Sequence, residues 1–149
     1  MENPWRTLRD RPHLTLHWRH LPEGMGGLWT TGSITLDPRL SRVERRCVLM
    51  HELIHDERRI GWPFASAGTM ESEERIVRGE TARRLVPPDE LLELVRRCDD
   101  IEPVTATVVA REFDVTPQVA FLALRRLQVD LLEAEMARSA RVGRGESAA

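Results

Sequence analysis

A chain of 149 residues, 41% of them hydrophobic and 31% charged, has material for one real core, at most with a helical appendage. A net charge of −2 excludes a global basic field that would draw in nucleic acid, and no apolar run approaches the ~18 residues of a membrane span. The N-terminus lacks the apolar stretch of a signal peptide, so Cys47 and Cys98 are expected to be reduced thiols in the cytoplasm.

In chain order, Asn3-Pro4 opens a short helix, with Asn3 as cap and Trp5 and Leu8 turned inward. Leu14 to Trp18 alternates apolar and polar residues, the period of a half-buried strand. Glycines 24, 26 and 27 mark a loop, and residues 28–36 read as two strands joined around Thr31-Gly32. Ser41-Arg42-Val43-Glu44 is a capping box, and the helix it opens is expected over 42–57. Further helices are expected over 70–86, 89–97, 104–112 and 117–136, with a break at 99–103 and a small, polar, frayed tail from Ser139. All basic positions are arginine, and tyrosine is absent.

The chemistry sits in the capped helix. His51-Glu52-Leu53-Ile54-His55 is an HExxH pentapeptide. Positions i and i+4 lie one above the other, so both imidazoles project from one face and share a metal, while Glu52 stands beside them as base toward metal-activated water. A catalytic zinc needs a third protein ligand, and the next helix offers Glu71, Glu73, Glu74 and Glu80. Its apolar stripe is Val77, Thr81 and Leu85, flanked by Ile76. Glu74 falls on that stripe and is the choice for third ligand, because an inward acid needs a neutralising partner. Glu71 lies near the helix end, and Glu71 and Glu73 also suit an acidic first turn that favours the helix dipole. Glu73 and Glu80 fall on the neighbouring face, so Glu71, Glu73 and Glu80 stay open as alternatives.

Cys47 shares the histidine face but lies about 12 Å along the axis from His55, too far to converge on one ion, and reads as a small buried residue. His17 faces the polar side of its strand. Together with Arg58 and Arg59 it is a candidate helper of the reaction. The segment Ser33–Leu36, just before the metal helix, is expected to offer a strand edge to an extended peptide.

Residues Arg45 to Asp56, then Glu74-Arg75-Ile76-Val77 and Arg83-Arg84-Leu85-Val86-Pro87, resemble the ImmA/IrrE family of metallopeptidases, in the compact form found in actinobacteria and their phages. The likeness extends to Asn3-Pro4-Trp5 and to Val115-Thr116. It departs at position 80, commonly bulky and apolar but Glu80 here, and at Gly79. The resemblance implies a zinc endopeptidase that cleaves a cognate helix-turn-helix repressor, with His51, His55 and Glu74 as ligands and Glu52 as general base.

The resulting expectation is an α+β, zincin-like metallopeptidase domain over 1–97, with a small antiparallel sheet and the HExxH helix. A helix-turn-helix-like module over 98–138 and a flexible tail over 139–149 follow. Two alternatives stand beside the enzyme. One is a DNA-binding regulator using the turn at residues 110–116, although the following helix is apolar and residues 104–149 hold six arginines against six acids. The other is an inactive protein that keeps the fold and binds a partner.

Overall fold

A computed structural model describes residues 1–59, 67–98 and 103–145. It is α+β, with helices α1 (Pro4–Arg9), α2 (Arg42–Arg58), α3 (Ala67–Leu85), α4 (Pro88–Cys98), α5 (Ala106–Phe113) and α6 (Pro117–Gly145). Strands β1 (Thr15–Trp18), β2 (Gly27–Thr30) and β3 (Ser33–Leu36) form one sheet of order β1-β3-β2.

The β2–β3 hairpin follows from Thr31-Gly32. Gly32 takes φ +84°, a conformation that side-chain-bearing residues avoid, and the Thr30 and Ser33 hydroxyls bond across the turn at 2.7 Å. The sheet is mixed, not wholly antiparallel as expected: β1 runs parallel to β3, pairing Leu16 with Ile34, while β2 runs antiparallel to it. β3 therefore lies in the middle and is hydrogen-bonded on both sides. It has no free edge for a peptide, which overturns the expectation placed on Ser33–Leu36. The edges belong to β1 and β2.

The α2 helix begins with the expected capping box: the Ser41 hydroxyl accepts the Glu44 amide, and the Glu44 carboxylate accepts the Ser41 amide. It is buried on two faces. Leu49 and Leu53 pack with Ile34 and Leu36 under the sheet. Cys47, Met50 and Ile54 join a second cluster that runs through Val77, Leu85, Leu91, Val109, Phe113 and Leu127. A third face, carrying His51 and His55, remains half-buried.

The turn between α5 and α6 is tied to the start of α2. Asp114 adopts φ 53° and takes both guanidinium nitrogens of Arg42 at 2.6 and 2.7 Å. Arg46 donates to the Phe113 and Asp114 carbonyls, and the Cys47 sulfur accepts the Thr116 amide. Cys47 is thus a buried residue, and burial pushes its thiol pKa up.

Three expectations need correction. In α1 it is Pro4 that is buried. Trp5 is 40% exposed and stacks on Trp18 instead. The tail from Ser139, expected to be frayed, continues α6 as helix through Gly143 as far as Gly145. Ile76, expected on the flank of an inward stripe, is exposed. The expected stops at residues 61–63 and most of the break at 99–103 lie outside the described residues.

Ser41→Ala removes one half of the capping box and should lower the unfolding free energy by about 1 kcal/mol. Urea denaturation checks it: the midpoint falls with the slope unchanged, and an unmoved midpoint contradicts the role given to the cap.

Candidate metal centre

His51 and His55 project from α2 toward α3, whose Glu74 meets them. The two imidazole Nε2 atoms are 3.2 Å apart. Glu74 Oε1 lies 3.0 Å from His55 Nε2, and its Oε2 lies 3.4 Å from His51 Nε2. One ligand atom from each residue falls within 4.8 Å of the others.

These spacings test whether the residues fit a cation. Ligand atoms about 2.0–2.1 Å from a tetrahedral centre are about 3.3 Å from one another; the observed contacts are of that size, with a different Glu74 oxygen facing each histidine. The chemistry agrees. Two imidazole nitrogens at hydrogen-bond distance cannot both present lone pairs without a proton or a metal between them. The carboxylate beside them supplies the negative charge that a divalent cation demands. The Glu74 pKa is held far below the ordinary carboxylate range by its hydrogen bonds to His51 and His55. Burial disfavours the charged form of His55, yet the bond to Glu74 and the charges of Glu52, Glu74 and Glu73 leave its pKa raised.

Glu52 lies on α2 between the histidine face and the sheet face. It is only 6% exposed, and burial raises its pKa, with the charges of His51 and His55 and the Trp29 main-chain amide acting the other way. Its seat depends on a missing side chain: a Cβ at Gly27 would come within 2.7 Å of Glu52 Oε1 and 2.5 Å of Val48 Cγ1. Gly27, expected in a loop, opens β2 and leaves room for the carboxylate.

The remaining acids of α3 do other work. Glu73 is 4% exposed and paired with Arg58 of α2, whose Nη2 donates to Oε2 at 2.9 Å. Reading Glu73 as a first-turn acid does not hold, because α3 begins at Ala67 and has no acid in its first turn. Glu80 accepts Arg83 and Arg84, which hold its pKa down at about 2. Glu71 is exposed. Of the four acids, the structure brings Glu74 alone to the histidines.

Sequence reasoning missed the hub beside the site. Asp56, next to His55, is buried and accepts Trp29 Nε1 at 3.2 Å, His13 at 3.0 Å and Arg11 at 3.2 Å. A hydrophilic residue directly after the HExxH pentapeptide was the available signal, but its partners come from distant segments. His17 and Arg59 are exposed, and Arg58 is committed to Glu73. No family model matches the chain, and no curated protein matches it either.

Asp56→Ala leaves an indole N–H and a guanidinium without their acceptor and should cost about 3 kcal/mol of stability. Chemical denaturation reads this directly, and a loss under about 0.5 kcal/mol would mean that the hub contributes nothing.

Proposed function

We propose that this chain is a zinc-dependent endopeptidase with a zincin-like fold, acting in the cytoplasm on a protein substrate. The observation that carries the reading is the convergence of His51, His55 and Glu74 within 4.8 Å, with the buried Glu52 next to them on α2. Two imidazoles and one carboxylate leave a fourth tetrahedral position open, the donor set and vacancy of catalytic zinc. A zinc ion bound there supplies a Lewis acid that lowers the pKa of water toward neutrality and polarises a carbonyl.

The chain's own residues divide the remaining work. Glu52 accepts a proton from the attacking water at its carboxylate and returns it to the leaving amine, since hydrolysis of a peptide bond needs one proton removed and one delivered. Burial raises its pKa, which makes the carboxylate a stronger base than an exposed glutamate. The Trp29 amide and the space above Gly27 keep the carboxylate in place. A helix-turn-helix repressor is the proposed substrate, on the strength of the resemblance to the ImmA/IrrE family.

Glu52→Gln should retain one zinc per chain and lose hydrolysis by at least about 100-fold. His51→Ala and Glu74→Ala should lose the metal as well. Chelation should abolish cleavage and added Zn²⁺ should restore it. Metal analysis alongside a cleavage assay decides the matter, and a Glu52→Gln chain cutting at the wild-type rate removes the mechanism.

A further inference from the structure

The α3 helix carries two consecutive glutamates, and only one can serve the histidines. Adjacent positions on a helix differ by about 100° around its axis, so Glu73 and Glu74 leave α3 in different directions, and any rotation of that helix moves Glu74 relative to His51 and His55. Nothing in the chemistry of the two side chains distinguishes them. The buried Val77 and Leu85 set which face of α3 turns inward, and Arg58 adds a charged contact that holds Glu73 to one side. It follows His55 by three residues on α2 and therefore sits one turn beyond the second ligand. Its Nε and Nη2 grip the two oxygens of Glu73, a fork that fixes direction as well as charge. The Glu73 side chain is 5% exposed and that of Arg58 33%, so the carboxylate is sheltered while the arginine reaches it from the surface.

We propose that the Arg58–Glu73 pair is a positioning device for the metal centre. By holding Glu73, Arg58 refines the rotation that the core packing gives α3 and so seats Glu74 as third ligand. This rests on the reading of His51, His55 and Glu74 as a zinc site, and it assigns Arg58 to metal affinity and not to the reacting atoms. The contacts across the two helices then form a short ladder, with His51 and His55 on Glu74 and Arg58 on Glu73. Arg78 also approaches Glu74 at 3.5 Å, but from the same helix, so it cannot set one helix against the other.

The test is zinc affinity of the full chain, measured by competition with a chromophoric chelator, together with denaturation of the metal-free protein. Arg58→Ala should weaken zinc binding about tenfold or more, the scale of losses from outer partners of metal ligands. Arg58→Lys, which keeps the charge but not the fork, should recover only part of it. Leu127→Ala, a core truncation remote from the ligands, controls for stability. It should destabilise the metal-free chain while keeping zinc affinity within about twofold of wild type. Affinity that falls equally in Leu127→Ala and Arg58→Ala overturns the positioning role, as does Arg58→Ala binding zinc like wild type. A wild-type chain that binds no zinc at all overturns the site reading itself, and this inference with it.

Discussion

The last turn of α2 is cross-linked to α3, to β2 and to the segment before β1, and the site is arranged around it. Four consecutive residues are engaged, three of them with α3 and one with the sheet and the segment before it. His55 meets Glu74 on α3, Asp56 takes Trp29 of β2 together with His13 and Arg11, Glu57 binds Arg84, and Arg58 binds Glu73. Such a cluster works only because α2 is already buried on its other two faces. Leu49 and Leu53 press on the sheet, while Met50 and Ile54 press on the helices. The polar face is thereby left at a half-buried border, dry enough to strengthen electrostatics and open enough to admit a ligand.

Charge balance governs the site. Glu52, Glu73 and Glu74 lie close together, and like charges at such range disfavour one another. Each has been given a distinct counterweight: Glu73 an arginine, Glu74 two imidazoles, and Glu52 a buried niche where its proton is held more tightly. Three carboxylates of one chemical type thus acquire three roles from their surroundings alone.

Much of this was legible from residues in line. The capping box, the alternation over β1 and the Thr31-Gly32 turn are local signals, and each marks an element that forms. The histidine pair depends only on helical spacing, and Glu74 could be chosen from the stripe of Val77, Thr81 and Leu85, all of which are buried. What was not legible is non-local. Whether β1 joins β2 or β3 is decided by which edge it covers, and the strand itself carries no mark of that. The burial of Glu73 could not be seen because it depends on Arg58, which lies on another helix. The role of Asp56 was hidden for the same reason, since its partners start 45 residues upstream at Arg11.

The claim on which the account stands is that two imidazoles and one carboxylate close on a single cation. X-ray absorption at the zinc edge of the metal-loaded chain measures this most directly. The account predicts a first shell of nitrogen and oxygen at about 2.0–2.1 Å, with scattering from two imidazole rings and no sulfur. A shell containing sulfur at about 2.3 Å, or an ion ligated by fewer than two imidazoles, would contradict it.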